Sequence, residues 1–212
     1  MSSEYNFTKE ELNLYLKELG KEYRKRSKEP VEIILVGGAS VLINYNFRNS
    51  TNDADAYISN NKVIKEAMKA VAEKHKLSKK WLNDDFKKTD SFTPMIRNFS
   101  KKYKQYSNLL DIYTIDAEHL IAMKLVAGRD YKYDLSDIVG VLLEHEKAEK
   151  PITKELIIKA FIDLYGNNMT KEQEVLLDTI YGQDYEELYE NIRSIEMKNR
   201  EIKIESINKA MT

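Results

Sequence analysis

The sequence predicts an α+β fold: a small mixed β-sheet flanked by helices, followed by a C-terminal helical bundle. Three observations predict it. The run "VEIILVG", residues 31–37, has the continuous apolar, β-branched character of a central strand buried on both faces. Alternating and hairpin-like stretches follow it as far as residue 115. Beyond residue 116 almost every segment carries helical periodicity. The expected division is therefore residues 1–115, a sheet-bearing half with an N-terminal helix, and residues 116–212, a helical half.

The elements follow in order. Residues 8–27 read as a helix: Thr8 with Glu11 makes a capping box, and Leu12, Leu14, Leu16 and Leu19 supply apolar positions. Pro30 interrupts, and the strand 31–37 ends on glycine. "GASVLINYNF" reads as a short helix after the glycines. "NDADAYIS", 52–59, alternates and reads as a second strand. Residues 61–76 form an amphipathic helix with Val63, Ile64, Ala67, Met68 and Val71 on one side. "KKWLNDDF" reads as a loop or short helix. "FSKKYKQYSNLLDIYTI", 99–115, reads as a hairpin turning near Ser107 and Asn108, with "NLLDIYTI" as its inner strand. Helices are expected at 116–128, 134–147, 153–165, 170–181 and from 184 to about 208. The last is highly charged, with apolar positions at Ile192, Ile195, Ile202 and Ile204.

Composition excludes several function classes. With 212 residues, 42% hydrophobic and 33% charged, the chain is long and apolar enough for a packed core. It has no cysteine, so disulfides, thiolate metal sites and a cysteine nucleophile are ruled out. Its three histidines, His75, His119 and His145, are far apart in sequence, which argues against a histidine-rich zinc site. Met1 is followed by polar residues and no long apolar run occurs, so the expectation is a cytoplasmic protein without a membrane segment. A net charge of −1 disfavours a dedicated DNA binder. The basic stretches Lys21–Lys28 and Lys101–Lys104 are either solvated surface or a local patch for RNA phosphates.

The candidate chemistry lies in acids and glycines. Asp53 and Asp55 are two apart, so on a strand they project to one side. Two carboxylates so placed repel unless a cation lies between them, which suits a hard divalent ion such as magnesium. The other reading is a polar turn whose aspartates cap a helix. Gly37 and Gly38, between a strand and a helix, would gather backbone N–H groups at one point, an arrangement that binds anions. Asp111 stands in the apolar run "NLLDIYTI"; it either joins the same cation or faces water from an edge strand. Lys124 interrupts the apolar side of a helix, between Leu120, Ile121 and Ala127; it either snorkels to solvent or reaches a phosphate. Asp134 and Asp137 open the next helix, where they suit its N-cap and first turn, and Arg129 lies in the intervening turn.

The order of these residues resembles the DNA-polymerase-β-like nucleotidyltransferase superfamily. That family places a Gly-Gly or Gly-Ser turn after the first strand, an Asp-x-Asp on the second and a third acid on a later one. The closer resemblance is to minimal bacterial nucleotidyltransferase-like proteins of the abortive-infection toxin group. It is carried by Gly37-Gly38, Arg48, Thr51, Asp53, Asp55, "WLND" at Trp81–Asp84 and "AMKLVAGRDYKYDLSDI" from Ala122 to Ile138, and it covers roughly residues 31–145.

The resemblance implies a nucleotidyltransferase core that moves a nucleotide from an NTP to an acceptor hydroxyl. Asp53, Asp55 and Asp111 would hold two magnesium ions, with Asp111 also taking the proton. Gly37, Gly38, Ser40, Lys124, Arg129, Asp134 and Asp137 would serve the nucleotide, Lys124 by neutralising triphosphate charge. The implied acceptor is RNA, such as a tRNA 3′ end, and the implied setting a toxin with an antitoxin protein as partner. Transfer of AMP to a protein hydroxyl, and a non-catalytic antitoxin-like module of the same fold, are the alternatives.

Overall fold

A computed structural model describes residues 6–58, 62–128 and 133–210; for residues 200, 204 and 207–210 only the backbone is described. The chain divides into two units, Met1–Asp116 and Ala117–Thr212.

The first unit opens with helix α1, Lys9–Arg26. Its start is fixed by the expected capping box: the Thr8 hydroxyl accepts from the Glu11 N–H, and the Glu11 carboxylate accepts from the Thr8 N–H. Leu12, Leu16 and Leu19 are buried, joined by Tyr15 and Tyr23. Leu14 points outward instead, 46% exposed, because it lies off the i, i+4, i+7 stripe that the others share. Strand β1, Val31–Leu35, follows Pro30 and leads into helix α2, Gly37–Asn44. Strand β2, Ala54–Ile58, then helix α3, Lys62–His75, complete the expected series.

"KKWLNDDF" becomes a two-residue strand, β3 (Leu82–Asn83), and a 3-10 turn, Asp85–Lys88. A second 3-10 segment, Pro94–Phe99, precedes strands β4, Ser100–Tyr106, and β5, Leu110–Ile115. Ser107 and Asn108, at φ 53° and 59°, make the tight turn between them. Two successive left-handed residues match the right-handed twist of a hairpin.

The five strands run in the order β3-β2-β1-β5-β4. β1 is antiparallel to β2 and parallel to β5, so the sheet is mixed with β1 at its centre. Val31, Ile33 and Leu35 of β1, Ala54, Ala56 and Ile58 of β2, and Leu110 and Ile112 of β5 share one face. That face packs under α1 and α3 to form the core. Trp81 is buried in it, its indole N–H donating to the Met68 carbonyl of α3 at 3.2 Å. Strand alternation puts Glu32, Ile34, Asp55, Tyr57, Asp111 and Tyr113 on the other face.

The second unit is all helical among the described residues: α4 (Ala117–Ala127), α5 (Asp134–Lys147), α6 (Lys154–Tyr165), α7 (Lys171–Ile180) and α8 (Tyr185–Ala210). α4 packs against α5 and α6, and α5 against α8. No described helix is long and apolar enough to cross a membrane.

Candidate active site

The turn between β1 and α2 is where the expected glycines and acids meet. Val36 continues the strand, and its N–H donates to the Asp55 carbonyl at 2.9 Å. Gly37 then takes φ +54°, a conformation costly for any residue with a Cβ. A Cβ placed on Gly37 would lie 3.9 Å from Asp55 Oδ2. The Asp55 carboxylate therefore lies beside the start of α2. That helix has neither a side-chain cap nor an acid in its first turn. Its orphan N–H groups and macrodipole favour negative charge at the same end.

Gly38 has a different reason to be glycine. A Cβ there would come 2.7 Å from Arg48 Nη2, 3.0 Å from Arg48 Cζ and 3.2 Å from Thr51 Oγ1. The space a side chain would fill is taken by the Arg48 guanidinium. Arg48 Nε donates to the Ser50 carbonyl at 3.3 Å, and the Thr51 hydroxyl donates to the Asp53 carbonyl at 3.0 Å. Thr51 also pairs with Phe7 through reciprocal backbone hydrogen bonds. Arg48 and Thr51 thus shape the loop that delivers Asp53 and Asp55.

Asp53 lies just before β2 rather than within it. The next residue is pinned, since the Ala54 N–H donates to the Trp81 carbonyl at 2.8 Å. The segment "WLND" anchors this edge. Trp81 fills the core, Leu82 and Asn83 pair with Ala54 and Asp55, and the Asn83 side chain accepts from the Asp85 N–H. Lys80 is held in its charged form first by its ion pair with Asp85, and its remaining influences include the charge of Asp53.

The register does not bring Asp111 to this pair. Asp111 lies opposite Glu32 on β1, whereas Asp55 lies opposite Val36, four residues further along. At ~3.3 Å per residue that is about 13 Å along the strand. Asp111 has its own partners: Lys102 at 2.8 Å and the Gln105 side-chain amide at 2.7 Å. The acid at the matching end of β5 is Asp116, whose N–H donates to the Phe99 carbonyl. No local pattern marks it, since it falls just beyond the alternating run. Ser40, expected at the nucleotide, is fully buried; Asn44 donates to its hydroxyl at 3.4 Å.

The remaining expected residues belong to the helical unit. Lys124 on α4 is buried, its ammonium donating to Asp134 at 2.7 Å and Asp137 at 2.6 Å, both also buried. Asp134 and Asp137 thus do more than favour the helix dipole. The cap of α5 comes instead from α8, where Glu196 Oε1 accepts from the Leu135 and Ser136 N–H groups at 3.2 Å each. Burial pushes the Glu196 carboxyl above its ordinary range. Nothing local in the sequence pointed to Glu196, which lies sixty residues from the turn it caps. Arg129 lies outside the described residues.

A family model described as a nucleotidyltransferase of unknown function (DUF6036) matches residues 14–200. The chain belongs to this nucleotidyltransferase family. The match runs through both units of the chain, from α1 into α8. No curated protein and no solved structure matches it.

Proposed function

We propose that this nucleotidyltransferase moves a nucleotide from an NTP to an acceptor hydroxyl, with Asp53 and Asp55 as the metal-binding carboxylates. The observation that carries the reading is the Asp55 carboxylate lying against Gly37 at the uncapped start of α2. Carboxylate oxygens and free helix N–H groups at one point suit a cation together with a phosphate. Asp53 and Asp55, both half-buried rather than sealed in the core, fit magnesium by donor chemistry. Bound there, magnesium would neutralise triphosphate charge and lower the pKa of the acceptor hydroxyl.

The chain's own residues supply position. Gly37 allows the turn, and the α2 N–H groups orient phosphate oxygens. Arg48, seated on Gly38, fixes the loop that carries both acids. The proposal leaves Asp111 and Ser40 outside the reacting centre, given their partners and burial. It assigns Lys124, with Asp134 and Asp137, to holding the helical unit together.

RNA, such as a tRNA 3′ end, is the proposed acceptor. Its support is the charge of the first unit: 21 Lys and Arg against 16 Asp and Glu, a formal +5, while the second has 13 against 19, a formal −6. The further step to a toxin with an antitoxin partner is supported by the sequence resemblance alone. Incubation with magnesium, labelled NTP and either total tRNA or cell lysate tests the reading. Label on tRNA is expected; label on a protein instead would make the enzyme a protein-modifying transferase. No label on either, with no magnesium-dependent NTP binding, would make it a non-catalytic module.

A further inference from the structure

The near-zero charge of the whole chain conceals a basic first unit, and several of its cations make no ion pair among the described residues. On α1, Lys21 pairs with Glu18, and Lys25 and Arg26 pair with Glu22. Lys17 and Arg24 are exposed and make no ion pair within the described residues. They lie on the helix stripe that also carries Asn13 and Gly20, the two residues through which α1 meets β4. The Tyr103 and Tyr106 hydroxyls donate to Asn13 Oδ1 at 3.0 and 2.8 Å, and Gly20 lies against Tyr106.

β4 is the free edge of the sheet, and it presents lysines on that same side. Lys101 lies opposite Thr114 and Lys104 opposite Ile112, both of which face the core side beneath the helices. Directly opposed residues share a face. Lys102 projects the other way, to Asp111. Lys104 covers the Tyr106 ring at 5.5 Å from its centre, and Tyr103, at the register shift, is half-buried among them. Lysine on an edge strand by itself guards against sheet-to-sheet pairing. That does not account for Lys17 and Arg24 on the neighbouring helix, which make no ion pair among the described residues, nor for the Tyr106 ring beneath Lys104.

We propose that the α1–β4 edge binds single-stranded nucleic acid: Lys17, Arg24, Lys101 and Lys104 would contact successive phosphates, and Tyr103 would offer a ring to a base. Cations set beside aromatic rings on one exposed edge suit a single strand, whose phosphates and bases both need contacts. As the identity of the acceptor, this surface rests on the transfer reading above; as a binding surface it does not, so the experiment reads binding alone.

Fluorescence anisotropy of labelled oligouridylate is measured with the full chain over a salt series. The patch variant carries Lys17→Glu, Lys101→Glu and Lys104→Glu. A charge-matched control carries Lys62→Glu, Lys65→Glu and Lys69→Glu on α3. Thermal melts establish that both fold. Three lost phosphate contacts should weaken binding by at least about tenfold and reduce the salt slope by about 2. The control and Asp53→Ala should bind as wild type. Four results would each overturn the proposal: no binding by wild type, unchanged binding by the patch variant, equal weakening in the control, or equal displacement of the RNA by polyglutamate. Loss of nucleotide transfer in Asp53→Ala with RNA binding intact would leave the surface standing whatever the acceptor proves to be.

Discussion

Gly37 and Gly38 should fail in different ways when each is replaced by alanine. At Gly37 the cost is backbone strain: φ is +54° and the nearest atom to a new Cβ is 3.9 Å away. A left-handed alanine costs about 1–2 kcal/mol, and at this chain length each 1 kcal/mol lowers the melting temperature by roughly 2–4 °C. At Gly38 the backbone is ordinary but the space is not, with Arg48 Nη2 at 2.7 Å. Normal contact needs about 3.5 Å, so the guanidinium must retreat by about 0.8 Å. Alanine in a helix gains up to about 1 kcal/mol over glycine, which offsets most of that cost. Gly38→Ala should therefore melt within a few degrees of wild type yet lose about 100-fold in transfer, since a shift near 1 Å in a positioning group costs about that much. Trp81, the sole tryptophan, is buried and reports the melts by its fluorescence. Full transfer activity in Gly38→Ala, or a Gly37→Ala protein that melts like wild type, would refute the reasoning.

Lys124→Met removes the buried ammonium that donates to both Asp134 and Asp137 and should destabilise the chain by about 3–5 kcal/mol, read by denaturant unfolding; a stable variant that has lost only activity would show the lysine to be catalytic instead. Asp111→Asn should retain transfer within a few-fold in the labelled-NTP assay, because its partners are Lys102 and Gln105. Hydrogen bonds from Lys21 and Lys74 hold the Glu18 carboxyl down to about 2 from its ordinary 4.5. The folded pKa is depressed, so the stabilisation is complete above pH 4.5 and disappears as pH falls toward 2. Glu18→Gln should accordingly cost about 1 kcal/mol at neutral pH, and the gap to wild type should close over that acid window in melts.

Much of the fold was legible because its signals are local. The capping box of α1, the apolar run of β1, the period-2 stretch of β2 and the turn at Ser107 and Asn108 each encode their element within a few residues. The Gly-Gly and Asp-x-Asp pairs were legible for the same reason. Asp111 was not, because its place depends on strand register: an acid in an apolar run reveals its face but not which end of the sheet it reaches. Lys124 was open for a related reason. The sequence puts an ammonium on an apolar helix side, and only packing shows that two carboxylates ten and thirteen residues later receive it. The reason for Gly38 was hidden too, since the group occupying its missing side chain comes from Arg48.

The most direct test of the central claim is magnesium-dependent transfer of label from NTP, measured for wild type, Asp53→Ala and Asp55→Ala side by side with their melting curves. Transfer by wild type should require added magnesium, and neither variant should transfer label at an unchanged melting temperature. Transfer by wild type that persists undiminished in both variants would contradict it.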